Sequence, residues 1–286
     1  MTRGITVAFW GTRGTIPSPG AATVRYGGNT PCVSIRDAVG RIVILDAGTG
    51  IRPLGMALGK GAGGRLDLFL SHAHWDHIQG LPFFAPMYAE GQEIRIHGPT
   101  PPGIALREVL DRQVEAAVYP VPPSARAARV TVEEIGPGAV VTVPGFEVRS
   151  IALSHPGGAL GYRITPAGGG ASIAYVTDNE LGAGGAARVG RSWREELAAF
   201  LSGTALLIHD GMYTPGELEE RSGWGHSSAV EAVALAGSAG VARLALFHHE
   251  PGHTDEQVDS LLAMAQAAAP AGLTVSAARE GQTVTL

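Results

Sequence analysis

The sequence predicts an α/β protein in which β-sheets pack on one another and are covered by helices. Three observations predict it. Short Val- and Ile-rich runs bounded by Gly, Pro or Asp recur along the chain. Stretches with helical spacing are fewer and become frequent only in the later part. No composition break, charge run or fixed-period repeat marks a linker, so residues 1–286 are expected to form one domain.

The strand-like runs begin with Ile5–Trp10, Val33–Arg36, Ile42–Leu45, Leu66–Leu70, Ile94–His97 and Val130–Ile135. They continue with Phe146–Leu153, Ser172–Val176, Ala205–Ile208, Arg243–Phe247 and Thr274–Ala277. Between them, Ile104–Val118 places Ile104, Leu106, Val109, Leu110 and Val114 close to helical spacing. Ser228 and Glu231 have the spacing of a capping box, with Val230, Val233 and Ala234 as the apolar face behind it. Thr254 and Gln257 repeat that start signal ahead of Val258, Leu261 and Leu262, and Pro270 stops the helix. Gly59–Gly64 and Gly182–Gly185 read as loops.

Composition narrows the class of function. With 45% hydrophobic residues the chain can fill a core. A net charge of -5 argues against a protein that wraps a nucleic-acid backbone. Cys32 is the lone cysteine and sits beside strand-like Val33 and Ile35, so it reads as a buried thiol in a reducing compartment. Met1–Trp10 lacks the pattern of a secretory leader, and no apolar run approaches the roughly 18 residues of a membrane span. A cytoplasmic protein without a membrane partner is expected.

The sharpest feature is Ser71-His72-Ala73-His74-Trp75-Asp76-His77, directly after the apolar run Leu66–Leu70. On extended backbone His72 and His74 point the same way, while Asp76 and His77, beyond a turn, can face a neighbouring point. One short loop can thus serve two metal ions. Imidazole and carboxylate suit zinc, manganese or iron.

His72-x-His74-x-Asp76-His77 resembles the signature of the metallo-β-lactamase superfamily. The resemblance implies an αββα sandwich, two mixed β-sheets face to face with helices outside. It also implies a lone His, an Asp and a final His, each following a strand. His155 after Phe146–Leu153, Asp178 after Ser172–Val176 and His248 after Arg243–Phe247 meet that order. By analogy His72, His74 and His155 hold one divalent ion, Asp76, His77 and His248 a second, and Asp178 bridges them. Zinc is the first expectation. Two such metals lower the pKa of a bound water towards neutrality, so Ser71 is expected to be structural rather than a covalent nucleophile. His249, next to His248, is the alternative last ligand.

A second segment narrows the branch. Leu206-Leu207-Ile208-His209-Asp210, then Gly225-His226-Ser227-Ser228 opening a helix, is similar to the phosphodiesterase branch that includes ribonuclease Z, with Asp210 for Glu and Ser228 for Thr. Asp76, Asp210 and His226 are therefore the expected catalytic set. Protonated His226, oriented by Asp210, would bind a phosphate oxygen or protonate the leaving alkoxide. Loops around Trp10-Gly11-Thr12-Arg13, Tyr26-Gly27-Gly28-Asn29 and Leu45-Asp46-Ala47-Gly48 resemble small phosphodiesterases, with Arg13 or Asn29 as a candidate phosphate contact. His97 and His209 read as structural, and His253 as a helper behind the site or at the helix start.

One departure limits the resemblance. Ribonuclease Z inserts a basic arm for transfer RNA between the lone His and the bridging Asp. Here His155 and Asp178 are 23 positions apart, with Arg163 the one cation between them. The expected function is metal-dependent hydrolysis of a small phosphodiester such as a cyclic nucleotide or sugar phosphate, with no long nucleic acid as partner. Relatives of this kind often form homodimers. The competing expectations are hydrolysis of a lactone, thioester or other carboxyl ester, and a non-catalytic metal-binding sensor.

Overall fold

The computed structural model describes residues 4–59, 64–182 and 192–286. Of the two Gly-rich loops expected from sequence, residues 60–63 and 183–185 lie outside the described residues.

Two seven-stranded sheets pack face to face. The first holds β1 (Thr6–Gly11), β2 (Cys32–Arg36), β3 (Ile42–Leu45), β4 (Gly64–Phe69), β5 (Gln92–Gly98), β6 (Arg129–Glu134) and β14 (Thr283–Thr285), in the order β14-β1-β2-β3-β4-β5-β6. The second holds β7 (Val140–Val143), β8 (Phe146–Leu153), β9 (Ala159–Pro166), β10 (Ile173–Val176), β11 (Leu206–Asp210), β12 (Arg243–Phe247) and β13 (Thr274–Ala277), in the order β13-β12-β11-β10-β9-β8-β7. Both are mixed, with β3 to β6 parallel in one sheet and β10 to β13 parallel in the other. The inner faces share one apolar core, in which Val7, Phe9, Val33 and Phe69 meet Phe146, Tyr162, Ile208 and Phe247.

Helices cover the outer faces. α1 (Ile51–Leu58) and α3 (Leu106–Arg112) pack on the first sheet, and the short α2 (Trp75–Ile78) follows β4. α4 (Trp193–Leu201), α6 (Ala229–Ser238) and α7 (Asp255–Ala268) pack on the second, and α5 (Pro215–Glu220) lies between β11 and α6. The expected αββα sandwich is therefore the observed one. Both predicted capping boxes form, Ser228 with Glu231 and Thr254 with Gln257. A third, Thr214 with Glu217, opens α5.

The helix expected over Ile104–Val118 is shorter, Leu106–Arg112, because Ala105 is extended and the chain leaves helical geometry after Gln113. Strands β7, β9 and β14 and helices α1, α2, α4 and α5 escaped the sequence reading. Strand β9 carries Gly161 and ends on Pro166, which weaken its strand pattern, yet it pairs with β8 along its whole length.

The topology decides where the site lies. β3, β4, β8, β10, β11 and β12 all end at the same edge of the sandwich, and open α/β sheets bind ligands beyond the carboxyl ends of their strands. At that edge the sheets are tied together. Tyr162 Oη donates to Leu70 O at 2.5 Å, Leu160 N to Ser71 O at 2.8 Å, and Tyr175 Oη to the Asp46 carboxylate at 2.7 Å.

Candidate metal centre

His72 and His74 leave the end of β4, His155 follows β8, Asp178 follows β10 and His248 follows β12. α2 turns Asp76 and His77 back towards them. Four non-glycine residues with positive φ occur among the described residues: Thr15 (63°), Asp46 (59°), Asp178 (48°) and His248 (59°). All four serve this one site. Left-handed backbone is costly for such side chains and persists where the surroundings over-determine it. At Asp46, Asp178 and His248 it turns the chain directly after a strand and aims the side chain across the edge, and at Thr15 it accompanies the backbone N–H that donates to Asp76.

The seven expected ligands converge. One nitrogen each of His72, His74 and His155 lies within 4.8 Å of the others, and the same holds for Asp76, His77, Asp178 and His248. His155 Nε2 is 3.0 Å from His74 Nδ1. The two oxygens of Asp178 divide between the groups. Oδ1 is 3.2 Å from both His77 Nε2 and His248 Nε2, while Oδ2 is 3.7 Å from His72 Nε2 and 3.8 Å from His155 Nε2. Asp76 Oδ2 is 3.2 Å from both His77 Nε2 and His248 Nε2, and it accepts from Thr15 N at 2.8 Å.

These residues fit a pair of divalent cations. Ligands at about 2.0–2.1 Å around a tetrahedral ion are separated by roughly 3.3 Å, the spacing found here. His72 Nε2 and His77 Nε2 are buried without a hydrogen-bond partner, an expensive arrangement unless a further group takes their lone pairs. The carboxylate oxygens near His77 Nε2 lie at contact distance but out of its hydrogen-bonding direction.

Charge points the same way. Burial, then the neighbouring His77, drives His72 well below its ordinary pKa, and burial takes His155 down to about 4. Both are neutral ligands at pH 7. Burial would raise Asp76 and Asp178, but the surrounding histidines hold both well below the usual carboxylate range. Burial opposes a proton on His77, yet Asp178, Asp76 and Asp46 pull its pKa far up.

His248, not His249, faces the cluster. Successive residues point oppositely, and His249 Nε2 instead meets Ala278 O at 2.8 Å beneath the edge of Tyr26. His253 lies apart and bonds Glu217 at 2.7 Å. His209 is buried against Asn179, and His97 against Asp67, so both are structural as expected.

The expectation that Arg13 or Asn29 meets a substrate phosphate is corrected. Arg13 is fully buried and donates to the carbonyls of Gly27, Glu250 and His253, pinning the N-terminal loop to the turn after β12. Asn29 donates to Glu280 at 2.9 Å.

Three carboxylate roles went unassigned in the sequence. Asp46 accepts from Ser71 N at 2.7 Å, Ser71 Oγ at 2.9 Å and Tyr175 Oη at 2.7 Å, and is 2.8 Å from His77 Nδ1. It fixes the ring and tautomer of His77, the role of outer partners in metal sites. Buried Glu180 accepts from Gly223 N at 2.8 Å and Gly225 N at 3.0 Å, and Gly225 O in turn takes His155 Nδ1 at 2.9 Å. Glu217 holds His253. The signal for Asp46 was an Asp directly after a strand, the same signal that marked Asp178.

Asp210 ends β11, and its Oδ2 is 2.8 Å from His226 Nδ1. The His226 ring stacks on His248 with centroids 5.1 Å apart and lies 5.4 Å from that of His155, so it overlooks both ligand groups. Burial disfavours its charge, but Asp210 raises its pKa to about 9.

The model of one family, the beta-lactamase superfamily domain, matches residues 41–249. The chain belongs to this superfamily. Ribonuclease Z of Haloferax volcanii is 26% identical over 280 residues, covering 84% of this chain and 83% of that one. Among solved structures, the metallo-beta-lactamase fold protein YhfI of Bacillus subtilis superposes with a TM-score of 0.71 at 17% identity over 100% of both chains. The short form of human tRNase Z gives 0.69 at 20% identity over 98% of each. The expected superfamily and its ribonuclease Z-like character are borne out. Within the superfamily domain, matched residues 41–249 include every candidate ligand from His72 to His248 and the Asp210–His226 pair. No helix among the described residues is long and apolar enough to cross a membrane.

Proposed function

We propose that this protein hydrolyses small phosphodiesters at a site holding two divalent cations, zinc first among them. His72, His74 and His155 would hold one, Asp76, His77 and His248 the other, and Asp178 both. When bound, the cations supply Lewis acidity and a water acidic enough to attack phosphorus at neutral pH. The pairing of Asp210 with His226 carries the reading. Asp210 takes Nδ1, which leaves His226 Nε2 free beside both ligand groups. From there it donates a proton to the leaving alkoxide as the P–O bond breaks. Asp76, kept anionic by its histidine neighbours, accepts the proton of the attacking water. A carboxyl-ester hydrolase needs no such proton donor poised for an alkoxide on phosphorus.

The small substrate is supported by the course of residues 155–178. After the turn at His155, strand β9 and the return into β10 consume the segment within the sheet. It has no room for a protruding arm, and its cation Arg163 donates to the carbonyls of Phe200 and Ser202.

Zinc-loaded protein should turn over bis(p-nitrophenyl) phosphate. With a 3′,5′-cyclic nucleotide, whose leaving group is an alkoxide, His226→Ala should cut the rate by about 10²–10⁴-fold with metal content unchanged. Turnover of lactones alone, or an unaltered rate in His226→Ala, overturns the proposal. Cleavage of precursor transfer RNA in preference to small diesters overturns its substrate half.

A further inference from the structure

Thr15, Asp46, Asp178 and His248 share left-handed backbone, but only three of them have side chains that the fold holds in place. Asp46, Asp178 and His248 are buried, and each side chain contacts another member of the cluster. Thr15 is exposed, and among the described residues its hydroxyl makes no hydrogen bond. Ile16 N donates back to Gly14 O at 2.7 Å, which makes Thr15 the tip of a three-residue turn. With φ at 63° the turn is of the rarer, strained hand. A β-branched side chain is poorly suited to that conformation, whereas glycine adopts it freely. The turn's bond to the site comes from the main chain, Thr15 N to Asp76 Oδ2 at 2.8 Å, and glycine would make it equally well. Nothing inside the folded chain thus accounts for a threonine at the tip.

The tip is fixed beside the Asp76–His77–His248 group. His249 N donates to Thr12 O at 2.9 Å and Gly14 N to His249 O at 2.8 Å, so the loop is laced to the chain just after β12. A Cβ at Gly14 would lie 2.5 Å from His248 Nδ1 and 2.9 Å from Met212 Cε, so the backbone passes directly against a candidate ligand. A threonine hydroxyl is roughly 3–4 Å from its own amide nitrogen by bond geometry, so Oγ1 stands within about 7 Å of Asp76 Oδ2. That is within reach of an oxygen on a phosphoryl group held over the cluster. Thr12 and Arg13, the preceding polar side chains, are both spent on main-chain carbonyls. The non-bridging oxygens of a phosphodiester only accept, and a hydroxyl can donate to them.

We propose that the Thr15 hydroxyl donates a hydrogen bond to a non-bridging phosphoryl oxygen of the substrate, which makes Thr15 a substrate-binding residue. This contact rests on the phosphodiesterase reading and adds to it a group from the N-terminal loop. The strain then has a use. The turn aims the hydroxyl before the substrate arrives, so little freedom is lost on binding.

The test uses zinc-loaded protein, bis(p-nitrophenyl) phosphate as substrate and inorganic phosphate as ligand. Thr15→Val, which keeps the branched shape, and Thr15→Gly, which relieves the turn, should each lower kcat/KM about 10–100-fold. Both should also weaken phosphate binding, read by calorimetry. Thr15→Ser should recover most of both losses. Metal content should be unchanged in all three variants, and the Tm of Thr15→Gly should equal or exceed that of wild type. A stable glycine variant with impaired turnover separates contact with substrate from support of the fold. Loss of zinc or a clearly lower Tm in Thr15→Gly, or full activity in Thr15→Val, overturns the inference. If wild-type protein cleaves no diester, the phosphodiesterase reading fails. Phosphate binding then decides Thr15 by itself: weaker binding in Thr15→Val sustains the contact, and equal binding removes it.

Discussion

Asp46 Oδ2 and His77 Nδ1 are 2.8 Å apart, both fully buried, and this contact joins the strand end of β3 to the loop after β4. Asp46 touches no candidate cation position, yet it sets which nitrogen of His77 faces the cluster. Such partners typically contribute about 10–100-fold to metal affinity. Asp46→Asn should weaken binding at the Asp76–His77–His248 group by that factor, read by competition with a chromophoric chelator. Retention of full affinity would show that packing alone orients His77.

The second prediction concerns pH. His226 stands at about 9 because Asp210 outweighs the cost of burial. A raised pKa means that the protonated donor is present at neutral pH and is lost as pH rises through the folded value. Turnover should therefore hold on the acid side and fall as pH rises and His226 loses its proton, at a pH that bound cations lower relative to the cation-free site. Asp210→Asn should move that alkaline limb to lower pH, and a limb that stays in place would assign it to another group.

Gly225 supplies a steric test. Its φ is +90°, and a Cβ there would lie 2.2 Å from His155 Nδ1 and 2.4 Å from Pro156 Cδ. Gly225→Ala must displace His155 or the loop that Glu180 grips. We expect roughly a 10–100-fold loss of affinity at the His72–His74–His155 group, seen by metal analysis after dialysis. Glu180→Gln, which keeps the shape but weakens the grip on Gly223 N and Gly225 N, should lose less.

Metal removal should unfold the site from within. Binding to the native state alone contributes about 4 kcal/mol when free metal is roughly 1,000 times Kd. Chelation should lower Tm, and zinc should restore it. An unchanged Tm would mean that the histidine cluster holds its shape without cations.

Much of this was legible in the chain itself. His72-x-His74-x-Asp76-His77 is a local pattern, and strand alternation and capping boxes are local too, so these could be read from residue types and spacing, whereas the layers of the sandwich and the candidates His155, Asp178 and His248 followed from the resemblance to a known family. What stayed illegible depends on neighbours far away in sequence. Arg13 offered a cation near a Gly-rich loop, but only the docking of the turn after β12 reveals that carbonyls consume it. Asp46 and Tyr175 lie on different sheets, and their bond exists because two twisted sheets pack with those edges aligned. The choice of His248 over His249 was settled by a left-handed turn that sends one imidazole across the strand ends and the other under Tyr26. The amino-acid order alone specified which groups could bind metal. The packing of the sheets decided which of them share a point in space, because side-chain direction at a strand end is set by the partner it meets.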